Sequence, residues 1–295
     1  MRASKEQVIN DFKGLGKTLE IPTSKIYTAD GPLHVCQDTG LVRVKNVRSS
    51  METAKAWSDE VYSTEFTGDT YTARIPAVVA RHTYVADFAD TNIGLSGKKV
   101  CDIGAGEGQF LEIISKNPYK AKVYGIEPSK RNCSMLNKSG FEFFNGTIEE
   151  YAESNHFSQN KYDVVTAMWT LVNTSSCLNM VSAAFKMLKT GGHIVVGESS
   201  RILVPFKKPL HYYLQKMAID LHPYHFSANS LQNLLKVVGF DVIHVNRFID
   251  TDYLCIIAKK PDAKINNDYT VDNYEDVISF FERWHIETKN FWSNY

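Results

Sequence analysis

Along the chain the apolar positions divide it into an irregular opening, an alternating core and a tail. Residues 1 to about 70 mix polar and apolar positions with little periodicity. From Arg74 to Phe88 the spacing becomes helical: Ile75, Val78, Val79, His82, Val85 and Phe88 share one face, and Pro76 suits a first turn. Alternation then begins. "KKVCDI" reads as a buried strand, followed by a glycine-rich turn and a helix through Leu111, Ile113 and Ile114. "AKVYGIE" is a second strand, "SKRNCSMLNKSG" a short helix with a glycine stop, "FEFF" a third strand and "YDVVTAMW" a fourth. Residues 175–189 predict an amphipathic helix closed by Gly191 and Gly192, and "HIVVGES" a fifth strand. After an insertion over 200–226, Ser227 caps a helix with Leu231, Leu234, Leu235 and Val238 on one face and Gly239 as its stop. "DVIHVNRF" and "YLCIIAKK" read as a closing hairpin.

Strands alternating with helices predict an α/β architecture: a Rossmann-like, doubly wound, mostly parallel seven-stranded sheet with an antiparallel final hairpin. A small irregular N-terminal region and a C-terminal helix flank it. The expected divisions are an arm at 1–70, a main domain at 71–260 and a helical tail at 261–295.

Composition narrows the class. Hydrophobic residues make up 43% and charged residues 22%, as in soluble globular chains. The 33 basic and 33 acidic residues balance to zero, so no basic excess points to nucleic acid. No apolar run approaches the ~18 residues of a membrane span, and the first twenty residues lack a signal-peptide core. Cysteines 36, 101, 133, 177 and 255 are odd in number and form no CxxC pair, which suggests free thiols and a cytoplasmic setting.

The chemistry concentrates in "CDIGAGEGQF" (101–110). A dinucleotide fingerprint spaces its glycines GxGxxG, but here Gly104, Gly106 and Gly108 give GxGxG after Asp102, with Gln109 where the last glycine would fall. An acid at the strand end repels a pyrophosphate and suits the ammonium of a methionine moiety. The second strand ends in Glu127, placed to accept hydrogen bonds from ribose hydroxyls. With these motifs, residues 98–260 resemble the class I S-adenosylmethionine-dependent methyltransferases: "VCDIGAGEG", "VYGIEPS", "YDVV" and "LKTGG" before "HIVV" match the family's motifs in order. The resemblance implies that Asp102, Gly104, Ala105, Gly106 and Gly108 line the methionine end of the cofactor, and Glu127 and Pro128 the ribose. Thr147 and Ile148 would border the adenine, and Met168 and Trp169 the sulfonium. The product would be S-adenosylhomocysteine.

The acceptor side is read from "LHPYHFS" (221–227), which resembles a motif of bacterial sugar methyltransferases whose histidine is a catalytic candidate. His222 matches it as the base and His225 as a substrate contact, while Leu221 replaces the motif's glutamate. In those enzymes the segment before the first clear helix folds over the substrate, which singles out Tyr71 and Arg74. "LHVCQDTGLVRV" resembles one knuckle of their zinc ribbon with Thr39 in place of a cysteine, so no metal is expected. The insertion, with Arg201, Lys207, Lys208, His211 and Lys216 among aromatics, reads as a substrate lid. The aromatic tail helix docks on its own domain or on a second copy in a homodimer. The resulting expectation is O-methylation of a small molecule, a sugar or a nucleotide-linked or phosphorylated sugar of surface-polysaccharide biosynthesis. C- or N-methylation of a sugar is the alternative, and a cofactor-binding module without transfer activity the alternative of another class.

Overall fold

The computed structural model describes residues 1–28, 31–56, 76–198, 201–206, 208–214, 222–247 and 253–290. The chain opens with β1 (Arg2–Ala3), α1 (Lys5–Lys13), β2 (Thr18–Glu20), β3 (Leu33–Cys36), β4 (Val42–Val44) and α2 (Ser50–Ala56). The alternating core follows as α3 (Pro76–Ile93), β5 (Lys99–Ile103), α4 (Gln109–Ser115), β6 (Lys122–Glu127), α5 (Lys130–Lys138), β7 (Phe143–Asn145), α6 (Ile148–Glu153), β8 (Tyr162–Met168), α7 (Cys177–Met187) and β9 (Leu188–Glu198). The remainder is α8 (Leu210–Tyr213), β10 (Tyr224–His225), α9 (Ala228–Val238), β11 (Asp241–Val245), β12 (Leu254–Lys259), β13 (Tyr269–Thr270) and α10 (Tyr274–Thr288).

Seven strands form the main sheet in the order β11-β12-β9-β8-β5-β6-β7, parallel except at β12, which is antiparallel to both neighbours. Continuous apolar runs make its centre, as expected for strands covered on both faces: Val100 to Ile103 and Val164 to Met168 are all buried. Local chemistry sets the helix ends. Thr147 with Glu150 and Ser227 with Ser230 close capping boxes on α6 and α9, and Gly239 ends α9 with φ +116°. One boundary differs from the sequence pattern. The helix of residues 175–189 stops at Met187, and Gly191 and Gly192 lie inside β9, not past a helix. A Cβ on Gly192 would sit 2.9 Å from the Lys189 carbonyl and 3.0 Å from that of Asp163, so glycine is needed where the β8–β9 register shifts.

The opening segment is more ordered than its weak periodicity suggests. β2, β3 and β4 form an antiparallel sheet whose fourth strand, β10, comes from the insertion before α9, in the order β10-β4-β3-β2. Strands of two to four residues are too short to show an alternating pattern, which is why the sequence reads as irregular. The turn after β3 is closed by backbone bonds between Cys36 and both Gly40 and Leu41. At the position where a zinc ribbon would have its second cysteine, the Thr39 hydroxyl donates to Asp11 Oδ2 at 2.6 Å. Cys36 is fully buried, and no group of three metal-ligating side chains occurs among the described residues.

The tail completes this second layer. Val277, Phe280, Phe281 and Trp284 of α10 pack on Leu33 and Val35 of β3 and on Leu210, Tyr213 and Leu214 from the insertion. Trp284 Nε1 donates to the Lys208 carbonyl at 2.7 Å, and Tyr27 Oη and His285 Nδ1 share a hydrogen bond of 2.6 Å. The described parts of the opening arm, insertion and tail therefore pack together as a cap beside the main sheet, with Val8 and Phe12 of α1 buried in the main core. No helix among the described residues is long and apolar enough to cross a membrane.

Replacing Trp284 with Ala removes the centre of the cap's aromatic cluster and should cost about 3–5 kcal/mol in urea unfolding, the usual range for a buried Trp→Ala change. A loss below about 1 kcal/mol would show that the cap does not depend on α10.

Candidate functional site

The carboxyl ends of β5, β6 and β8 open into a cavity of about 390 Å³, within the range of small-molecule sites. Such a cleft at the strand ends is where ligands bind open α/β sheets. Asp102 is almost fully buried there and accepts the Thr166 hydroxyl at 2.6 Å. Burial, with the charge of Glu127 adding to it, pushes its carboxyl up to about 7. Glu127, at the end of β6, accepts from the backbone N–H of Gly106 at 2.8 Å and of Ser129 at 2.9 Å, and from Asn132 Nδ2 at 3.3 Å. Burial raises its pKa too, against those bonds. A carboxylate has about four acceptor positions, so one remains for a ligand donor.

The glycine turn is shaped by its neighbours. Gly104 has φ +74°, and a Cβ there would lie 2.6 Å from the Thr170 side chain, so a side chain at 104 would displace the loop after β8. At Gly106, φ +56°, a Cβ would meet only Gln109 Oε1 at 3.4 Å, and the remaining space is the cavity itself. Gly108 has a different role from the one expected: it is the N-cap of α4, packed where a Cβ would strike Leu136 and Phe141, and it is not on the cavity wall.

The loop after β8 is held in a strained form. Trp169 has φ +56°, unusual for a bulky residue and costing on the order of 1–3 kcal/mol. Its N–H donates to the Gly197 carbonyl at 2.6 Å, and its carbonyl accepts from Asn173 Nδ2 at 2.8 Å. Glu198, buried at the end of β9, accepts the Leu171 N–H at 2.7 Å. Burial drives its carboxyl up to about 8, and its Oε2 has no partner. From the other side α3 contributes Val78, Arg81 and His82. The His82 ring meets Trp169 edge-on, with centroids 4.8 Å apart, and lies 5.8 Å from Phe110. Burial and the Arg81 charge hold its imidazole down to about 4, hence neutral. The Arg81 guanidinium lies 5.5 Å from the Trp169 ring and 5.4 Å from that of Tyr253.

Asp102, Gly104, Ala105, Gly106, Glu127, Pro128, Thr147, Ile148, Met168, Trp169 and His222 all reach this one cavity wall. His225 does not. It is buried three residues along, its Nδ1 bonded to the Tyr213 hydroxyl at 2.7 Å, and burial lowers its pKa to about 3. Tyr71 and Arg74 lie outside the described residues. Arg81, His82 and Asn173 also line the cavity, although in the sequence His82 looks like one more member of a helix face; Glu198 lies behind the loop, bonded to Leu171, and is not on the cavity wall.

Glu198 should make the ligand-free protein pH-sensitive. Folded, it keeps its proton to about 8, whereas its ordinary value is 4.5, so the folded state binds the extra proton and stability falls as pH rises towards 8. Urea unfolding at pH 6.5 and 8.5 should show the wild type losing more stability than Glu198→Gln. An equal or smaller loss would place the ionised form in the native state.

Comparison with known proteins identifies the family. Residues 78–245, more than half the chain, match the family described as Methyltransferase domain. A ubiquinone biosynthesis O-methyltransferase of Aliivibrio fischeri is 29% identical over 175 residues, which is 57% of this chain and 64% of the relative. One of Vibrio vulnificus is 32% identical over 175 residues, 57% of this chain and 63% of the relative. The matches thus span less than two thirds of these curated relatives. Among solved structures, a chain of the Haloferax volcanii complex between the Trm112 methyltransferase activator and a methyltransferase superposes with a TM-score of 0.52 at 14% identity, covering 73% of this chain and all of that one. A Galdieria sulphuraria structure, assigned as a sarcosine dimethylglycine methyltransferase, gives 0.50 at 14% identity over 63% of this chain and 87% of its own. These two likenesses concern the fold. The chain belongs to the methyltransferase-domain family, whose cofactor is S-adenosylmethionine.

Proposed function

We propose that the chain methylates a hydroxyl oxygen of a small ring-bearing acceptor. The observation that carries this reading is the continuity of the cavity. One cavity is lined by two buried acids, Asp102 and Glu127, the turn residues Gly104 and Gly106, Met168 and Trp169, and two imidazoles, His82 and His222. When bound, S-adenosylmethionine supplies an electrophilic methyl on a positively charged sulfur. The residues present fit it. Asp102 suits its ammonium, Arg81 its carboxylate, Glu127 its ribose and the start of α6 its adenine. Glu149 Oε1, a cavity-lining residue's buried acceptor without a partner, adds a place for an amine hydrogen. The Thr147 N–H is taken up by Glu150 Oε2 and its hydroxyl accepts from the Glu150 N–H, which leaves the O–H hydrogen to donate to a ligand.

The protein's task in such a transfer is alignment and exclusion of water, and a hydroxyl acceptor gains further from a base. His222 is the residue we assign as that base. Oxygen as the methylated atom is supported by the names of the relatives, and a flat acceptor by the rings of His82, Phe110 and Trp169 around the cavity. The sugar reading stays as the second, favoured by the place of His222 on the wall within a motif like that of sugar methyltransferases. Turnover with S-adenosylmethionine against a panel of phenols and of nucleotide-linked sugars separates the two, and activity on neither class would refute both.

Calorimetry should give micromolar binding of S-adenosylhomocysteine and none of NAD; the reverse would overturn the cofactor assignment. Glu127→Ala should weaken S-adenosylhomocysteine by about 1–3 kcal/mol, as when a hydrogen bond to a charged group is lost. His222→Asn should lower turnover on the order of 10²- to 10⁴-fold with cofactor affinity unchanged, the span for a positioned base. Near-normal turnover would leave His222 a wall residue.

A further inference from the structure

One buried acid has no part in the chemistry above. Glu198 ends β9 at 1% exposure, off the cavity wall, paired across the sheet with the fully buried Leu254. An apolar side chain would sit here without the cost of desolvating a carboxyl, so Glu198 is kept for what it bonds. The Leu171 N–H donates to its Oε1 at 2.7 Å, and the backbone N–H groups of Thr170 and Val172 also favour its charged form.

These N–H groups open the short turn Leu171–Asn173, and the residue before that turn does not serve them. The Thr170 hydroxyl is turned back onto the Met168 carbonyl at 3.0 Å and gives the turn no side-chain cap. The start of a helical turn leaves N–H groups without partners, and Glu198 supplies the acceptor from another strand. Trp169 is held from the same strand end, its N–H donating to the Gly197 carbonyl at 2.6 Å. Gly197 and Glu198 thus grip the backbone from Trp169 to Val172, the left-handed residue included.

This turn gives Glu198 its reach. Thr170 lines the cavity, and a Cβ on Gly104 would sit 2.6 Å from both its Cγ2 and its Oγ1. The N–H groups of Gly104 and Ala105 donate to the Ile126 carbonyl at 2.8 and 3.1 Å. The start of the glycine turn is therefore tied to β6 by hydrogen bonds and packed against the turn that Glu198 holds.

We propose that Glu198 is a positioning residue for the cofactor: it fixes the turn that keeps Thr170 against Gly104, and so holds the glycine turn in the shape that receives S-adenosylmethionine. This role rests on the cofactor placement above and adds to it a residue that never touches the ligand. A carboxyl that only stabilised the fold would leave the cofactor affinity of the folded protein untouched.

The test is calorimetry of S-adenosylhomocysteine on the full chain, with each variant first shown by circular dichroism to be folded at the temperature used. Glu198→Leu removes the acceptor and should weaken binding at least about fivefold. In Glu198→Gln the amide oxygen still accepts from Leu171, and the NH2 falls where Oε2 has no partner. That variant should stay within about twofold of wild type. Thr170→Ala removes the contact with Gly104 and leaves the bonds of Glu198 in place. Added to Glu198→Leu, it should weaken binding by less than about twofold more, because both changes act through one contact. A smaller loss in folded Glu198→Leu, a Gln variant as weak as the Leu variant, or effects that simply multiply in the double variant would each overturn the proposal. Should Glu198→Leu fail to fold, Glu198→Asp, whose shorter side chain draws the carboxyl back from Leu171, takes its place with the same outcomes. If the wild type binds no S-adenosylhomocysteine, the cofactor placement falls and the proposal with it, a result visible before any variant is measured.

Discussion

The cleft is governed by negative charge placed where water cannot reach it. Asp102 and Glu127 lie at the ends of adjacent strands, both are buried, and beyond burial itself the charge of Glu127 makes ionisation of Asp102 harder, as that of Glu107 does for Glu127. Desolvation on this scale is relieved in one of two ways, by taking up a proton or by admitting a positive partner. On the proposed placement a cationic cofactor would supply the second, which would make its binding and the ionisation of Asp102 two sides of one equilibrium. On the same reading that charge would set the selectivity for a cofactor. A pyrophosphate entering this cleft would meet two carboxylates, whereas an ammonium, a sulfonium and ribose hydroxyls all meet acceptors.

Much of this was legible in the sequence because it is local. An acid, a tight turn and a helix within ten residues need no distant partner to be recognised, and the second acid follows one strand later. The fold class was legible for the same reason, since buried parallel strands announce themselves as apolar runs between helices. What could not be read depends on residues far apart in the chain. Gly108 looks like part of the cofactor turn until Leu136 and Phe141 are seen against it. His82 has the spacing of a core residue, and only the arrival of Trp169 turns its face into a wall. The backbone strain at Trp169 leaves no trace in composition, because it is imposed by Gly197, Asn173 and Glu198 through the structure.

The cap shows the same limit on a larger scale. Its sheet draws three strands from the opening of the chain and one from the insertion nearly two hundred residues later, and its apolar cover from the tail. No one of these segments has enough buried surface to read as a folding unit. Their union places Ser50, Thr53 and His222 along the cavity, while the main sheet supplies the acids and glycines. The lining of the cavity is thus drawn from different parts of the molecule.

That division sets an order of assembly. The strands and turns of the cofactor end lie between residues 99 and 198 and close mostly through neighbouring units, so a growing chain can form them as they emerge. The cap cannot close until α10 exists, since contacts such as Tyr27 with His285 span 258 positions. A growing chain thus holds the residues of both acids and the glycines well before those of α10, on which the cap packs. A nascent chain could hold a cofactor before it could tell one acceptor from another.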